Sequence, residues 1–165
     1  MGGKRLIPGG EGAWKGVSGA VAAESLRRRD LVPMSETERK QRGDWGETTA
    51  ERYLRRTAGM RVLDRQWRYK HGELDLILRQ GEVLVFVEVR VRSAEADPTA
   101  TYFSIGRKKW QSLRRTAFAY LRQLRWRPAA VRFDVVGIRR CAKTRSVVDV
   151  QHWENVGKFG RRLRY

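Results

Sequence analysis

Between Gly72 and Arg92 apolar and polar positions alternate, then give way to a nearly continuous apolar run. Leu74, Leu76 and Leu78 alternate with Glu73, Asp75 and Ile77, which predicts a strand. Arg79-Gln80-Gly81-Glu82 reads as a hairpin turn. Val83 to Val91, rich in Val and Phe, predicts the returning strand. Upstream, Ala50, Tyr53, Leu54 and Thr57 recur at helical spacing and predict a helix over Asp44 to Ala58. Asp44 with Glu47 three residues on is placed as its capping box, and Gly59 as its C-cap. Met60 to Tyr69, with Val62, Leu63 and Trp67, predicts a first strand, and Lys70-His71-Gly72 a turn.

Ser93 to Phe103 is polar and contains Asp97-Pro98, a loop signal. From Ser104 or Ile105 to about Arg125 a second helix is predicted. Its apolar stripe is Trp110, Leu113, Ala117, Tyr120, Leu121 and Leu124. Trp126-Arg127-Pro128 ends it, Val131 to Ile138 predicts another strand, and Val147 to Trp153 an edge strand. Helix, three strands, helix, strand, strand is the order of an α/β sandwich, a mixed central sheet flanked by helices.

The first 41 residues break this patterning. Gly2-Gly3, Pro8-Gly9-Gly10 and Pro33-Met34-Ser35 interrupt any regular element, and Arg27-Arg28-Arg29 is a basic cluster. They read as a disordered extension with at most a short helix over Ala20 to Arg29, and Met34 is a second candidate start. Residues 42–157 then form one domain, and Lys158 to Tyr165 a basic tail. The extension lacks the apolar core and cleavage site of a signal peptide, and no apolar run approaches the ~20 residues that cross a bilayer. With Cys141 alone there is no internal disulfide, and a reducing cytoplasm is the expected compartment.

The hairpin carries acids where buried strands ordinarily have none. Residues two apart share a face of a strand, so Phe86, Glu88, Arg90 and Arg92 lie on one side and Val85, Val87, Val89 and Val91 on the other. Pairing the two strands brings Asp75 and Glu88 close on a common face. Two neighbouring carboxylates repel and are costly to bury without a cation between them. A divalent ion held by one or two carboxylates with waters retained, as Mg²⁺ is held at phosphate-processing sites, is the simplest resolution of that conflict.

Charge adds a partner. Lys and Arg number 36 against 18 Asp and Glu, a formal +18, and six Trp and five Tyr are interleaved with arginine. Such an excess attracts polyanions, and exposed aromatics stack on bases. The alternative is an arginine-rich composition with ordinary solvated faces. Arg92 and the basic surround of the second helix, Arg107, Lys108, Lys109, Arg114 and Arg115 foremost, are the candidate phosphate-tracking surface. His71 reads as a loop histidine, and Asp134 as a structural carboxylate paired with Arg132 or another arginine.

Asp75 followed by Glu88-Val89-Arg90 resembles the PD-(D/E)XK signature of restriction-endonuclease-like nucleases. The ordered blocks Gly46-Glu47-x-x-Ala50-x-x-Tyr53-Leu54, Gly72-Glu73-Leu74-Asp75-Leu76-Ile77, Val85-Phe86-Val87-Glu88-Val89-Arg90-x-Arg92 and Arg132-Phe133-Asp134-Val135-Val136 resemble the bacterial YraN-like family. The likeness covers roughly Gly43 to Trp153. It implies a restriction-endonuclease-like fold, a metal-dependent phosphodiesterase site in which Asp75, Glu88 and the Val89 carbonyl would hold Mg²⁺ or Mn²⁺, and a flexible segment beside the cleft over Ser93 to Phe103. It gives Glu47 a second reading besides the cap, as a first-helix acid turned toward the metal. Arg90 stands where such nucleases mostly carry lysine. A guanidinium cannot lose its proton in a protein, so Arg90 can hold a phosphate but cannot serve as a base. An amine would have to come from elsewhere, with Lys70 and Lys108 as candidates.

Two readings of function stay open. One is a nuclease acting on nucleic acid, DNA ahead of RNA by analogy with junction resolvases of that fold. The other is a nucleic-acid-binding module whose nuclease site is weak or lost. A small structural partner of a basic assembly is a third. No membrane partner is expected, and a homodimer stays open.

Overall fold

The computed structural model describes residues 35–97 and 105–157. Its elements in chain order are α1 (Glu36–Ala58), β1 (Arg61–Tyr69), β2 (Gly72–Gln80), β3 (Val83–Ser93), α2 (Arg107–Gln123), β4 (Ala130–Arg140) and β5 (Val147–Gly157). The five strands form one sheet in sequence order. Neighbours are antiparallel except β3 and β4, which run parallel and are joined by the α2 crossover. The sheet is mixed, as expected.

Strand alternation divides the core in two. Leu76, Leu78, Val85, Val87, Val136 and Ile138 pack against Ala50, Tyr53 and Leu54 of α1. Ile77, Leu84, Phe86 and Phe133 face Leu113, Ala117, Tyr120 and Leu121 of α2. The molecule is therefore a sandwich with one helix on each face of the sheet, consistent with an endonuclease-like architecture. The α2 stripe is core, as its spacing predicts, with Trp110 and Leu124 at its margins.

Three local expectations change. Helix α1 starts at Glu36, not Asp44. Ser35 is its N-cap, and Ser35 and Glu38 exchange both bonds of a capping box. Asp44 and Glu47 are thus mid-helix and cap nothing; Asp44 accepts instead from Gln66 Nε2 at 2.9 Å. Thr57 is exposed, its hydroxyl donating to the Tyr53 carbonyl, and Gly46 takes the fourth buried place of the helix. Leu74 packs on the α2 side with Ile77, not with Leu76 and Leu78. The β2–β3 ladder runs only from Gln80 and Val83 to Leu76 and Val87, so at Leu74 the strand has β1 alone for a neighbour and turns away from the regular face. Gly59 caps α1 with φ +62, a left-handed conformation that glycine adopts without strain.

The expected short helix over Ala20 to Arg29, the far half of the Ser93 to Phe103 loop and the basic tail lie outside the described residues. Among the described residues no helix is long and apolar enough to cross a membrane.

Candidate active site

The end of the β2–β3 ladder makes the site. Leu76 opposes Val87, so the next positions outward, Asp75 and Glu88, face each other where the two strands part. The first amide of β3 left without a β2 partner is that of Val89. Its N–H donates to Asp75 Oδ2 at 2.7 Å, so the side chain takes the place of a lost ladder bond. Asp75 is thereby fixed at the mouth of the split.

Glu88 is buried, at 2% exposure. Its Oε1 receives Arg90 Nη2 at 3.1 Å and Lys109 Nζ at 3.0 Å. Its Oε2 is buried and has no partner. A buried carboxylate oxygen without a donor is costly, and a second acid, Asp75, acts on the same carboxylate through its charge.

A cleft of about 300 Å³ opens over this pair. Glu47, Asp75, Glu88, Val89, Arg90, Arg92 and Lys109 line it together with Arg39 and Arg42. Glu47 reaches it because α1 packs tightly on β3: a Cβ at Gly46 would meet Val91 Cγ2 at 2.4 Å. Any larger residue there would push the helix, and Glu47 with it, off the strand. Burial, reinforced by Glu88, pushes the Asp75 carboxyl up to about 7, although the Val89 amide works against this. Burial, with Asp44 and Glu73 nearby, pushes Glu47 up to about 7 as well. Three acids thus line one cleft, of which Glu88 carries the direct ion pairs, to Arg90 and Lys109.

Most of the sequence-predicted residues meet here: Asp75, Glu88, Val89, Arg90, Glu47 and Arg92. So does Lys109, which was expected only as a phosphate contact. It is the one amine in the cleft among the described residues, while Lys108 is exposed and Lys70 lies elsewhere. Arg107, Arg114 and Arg115 are exposed on α2 outside this cleft. Lys70, His71 and Arg115 line a larger cleft, about 480 Å³, between the β1–β2 turn and α2. That cleft holds no carboxylate among the described residues, so the larger volume does not mark the chemistry.

Asp134 is a structural carboxylate, paired as expected with Arg132 at 3.0 Å. His152, not anticipated as a partner, lies 2.9 Å from Asp134 Oδ2, and the Asn155 N–H donates to Asp134 Oδ1 at 2.8 Å. The network sits on the α1 side of the sheet, against Tyr53, and does not line the carboxylate cleft.

The residues fit a hard divalent ion. Among the described residues no three His, Cys, Asp or Glu side chains form a ready-made metal cage. Two facing carboxylates, one with an unpartnered buried oxygen, are the donor set with which Mg²⁺ is commonly held while it keeps several waters.

A family model described as "Uncharacterised protein family UPF0102" matches residues 46–138. A UPF0102 protein of Frankia alni is 44% identical over 98 residues, 59% of this chain and 80% of the relative. One of Pelotomaculum thermopropionicum is 41% identical over 117 residues, 71% and 95% of the two chains. One of Beutenbergia cavernae is 40% identical over 116 residues, 70% and 94%. The matched span contains Glu47, Asp75, Glu88, Arg90 and Lys109.

Proposed function

The chain belongs to the UPF0102 family, the group its ordered blocks resemble, and from that premise and the cleft we propose a metal-dependent nuclease, with DNA as the favoured substrate. The observation that carries it is Asp75 facing Glu88 at the split of β2 and β3, with Glu88 Oε2 unpartnered in a cleft also lined by Glu47, four arginines and Lys109. Asp75, Glu88 and the Val89 carbonyl would hold Mg²⁺ or Mn²⁺. Such an ion, when bound, polarises a phosphoryl oxygen and lowers the pKa of an attacking water.

The remaining work falls to the chain's own residues. Arg90 stays protonated and serves as an electrostatic clamp on a phosphate oxygen. Lys109 brings an ammonium to the same carboxylate from α2 and takes the place that Arg90 cannot fill, a proton-bearing amine beside the reacting centre. Glu47, held near 7 by burial, can take or give a proton at neutral pH. Arg39, Arg42 and Arg92 supply a positive rim for the strand's backbone.

A second reading has its own observation. Arg90 and Lys109 both sit on Glu88 Oε1, an arrangement that also suits a site kept for binding after catalysis is lost. The two separate on incubation with branched, single-stranded and duplex DNA in Mg²⁺ or Mn²⁺. The nuclease cleaves at least one substrate and loses cleavage on Asp75→Ala and on Glu88→Ala. Cleavage surviving both substitutions belongs to a contaminant. Salt-sensitive binding without cleavage assigns the binding module.

A further inference from the structure

Four arginines from four parts of the chain meet at the far ends of β3 and β4. Arg42 of α1, Arg92 of β3, Arg140 of β4 and Arg145 of the β4–β5 turn line a recess of about 220 Å³ with Ser93 and Ala142. No carboxylate lines it among the described residues. Arg42 and Arg92 also line the carboxylate cleft, so the two hollows share a wall. An adjoining recess adds Trp45 and Glu38, but one Glu38 oxygen is already taken by the Ser35 amide. The Arg140 guanidinium lies over the Trp45 ring, 4.7 Å from its centroid, which fixes its plane.

Like charges crowded in this way repel. Burial, and then Arg140 and Arg92, lower the Arg42 pKa from its ordinary value. An oxyanion relieves that repulsion, and rigid guanidinium forks match the oxygens of a phosphate better than any single carboxylate could satisfy four of them. We infer that this recess binds a phosphate group of the nucleic-acid strand, one that flanks the phosphodiester lying at Asp75 and Glu88. The inference rests on the nucleic-acid reading of the cleft. The phosphate is either a strand terminus or an internal linkage, and the chemistry of recognition is the same for both.

The test uses the full chain in EDTA, so no cleavage intervenes. Binding of a short single-stranded oligodeoxynucleotide, with a 5′-phosphate or a 5′-hydroxyl, is followed by fluorescence anisotropy across a salt series. Arg92→Gln/Arg140→Gln and, separately, Arg145→Gln are compared with Arg56→Gln/Arg61→Gln, which removes as much charge from exposed positions elsewhere. Urea midpoints verify that each variant is folded. The recess variants should bind severalfold more weakly, with the log–log salt slope shallower by about 0.7 per lost phosphate contact. Preference for the 5′-phosphate assigns a terminus, and equal binding an internal linkage. Equal weakening by the exposed pair, or no weakening by the recess pair, overturns the inference while leaving the cleft reading in place. If no oligonucleotide binds wild type, the nucleic-acid reading fails, and inorganic pyrophosphate decides the recess. A tryptophan emission change lost in Trp45→Phe and in Arg92→Gln/Arg140→Gln keeps it as a phosphate site, and no response removes it.

Discussion

Replacing Asp75 by asparagine keeps an acceptor for the Val89 N–H and removes one of two facing charges. In the unfolded chain Asp75 ionises near its ordinary 3.8, whereas in the fold it holds its proton to about 7. Between those values the folded chain binds a proton that the unfolded chain has lost. The stability that this proton contributes therefore falls as pH rises through that window and is gone above about 7. Roughly three units at about 1.36 kcal/mol each put the ceiling near ~4 kcal/mol. Glu47 moves the same way but is only half buried, so solvent screens its share. In EDTA, Asp75→Asn should match wild type near pH 4 and exceed it by up to ~4 kcal/mol at pH 8. A divalent ion that binds only the folded, ionised pair narrows that gap. At a hundredfold its dissociation constant it adds about 2.7 kcal/mol to wild type. It should add nothing to Asp75→Asn, and little to wild type at pH 5. The assay is urea unfolding from pH 4 to 8, with and without Mg²⁺ or Mn²⁺. A difference between the two proteins that stays flat with pH, or equal stabilisation of both by metal, refutes the account of the pair.

Lys109→Met should lower cleavage by about 10²-fold, the scale for loss of a single electrostatic contact to a reacting group. It also takes a cation from buried Glu88, which keeps Arg90, so the urea midpoint should fall as well; an unchanged turnover rate would remove Lys109 from the mechanism. Gly46→Ala gains about 1 kcal/mol of helix propensity but forces a methyl onto Val91, an overpacking cost of about 1–3 kcal/mol. Net destabilisation with reduced cleavage is expected, and a more stable, fully active variant contradicts the close approach of α1. Asp134→Ala leaves Arg132 and His152 without their buried acceptor and should cost about 3–5 kcal/mol in urea melts. A cost under ~1 kcal/mol would mean that the network does not hold the β4–β5 pair.

The strands were legible because a hairpin announces itself through local alternation and a turn, and its register follows from the turn. Asp75 opposite Glu88 could be placed from that register alone. The start of α1 was not placed, because residues 36–41 carry no apolar stripe and lie mostly exposed. Their signal was the cap, Ser35-x-x-Glu38, which outweighs the Asp44-x-x-Glu47 pattern that sits inside the same helix. Moving that start changes the meaning of Glu47. An acid in the first turn serves the dipole, whereas an acid mid-helix, on the face that Gly46 presses against β3, reaches the cleft.

Contacts between distant elements left no such local trace. His152 meets Asp134 because β5 runs back along β4 with Val136 opposite His152, and no spacing in the chain signals it. Lys109 is the sharper case. On its helix it belongs to an unbroken basic run, Arg107-Lys108-Lys109, and only the docking of α2 on the sheet separates the residue that reaches Glu88 from its two exposed neighbours. On the nuclease reading proposed above, its position also answers the difficulty raised by Arg90. The guanidinium and the ammonium converge on one oxygen of Glu88 and leave the other unpartnered. The cations and a divalent ion therefore do not contend for the same carboxylate oxygen. A chain with arginine at the third signature position can keep a clamp, an amine and a free ligand atom around a single glutamate.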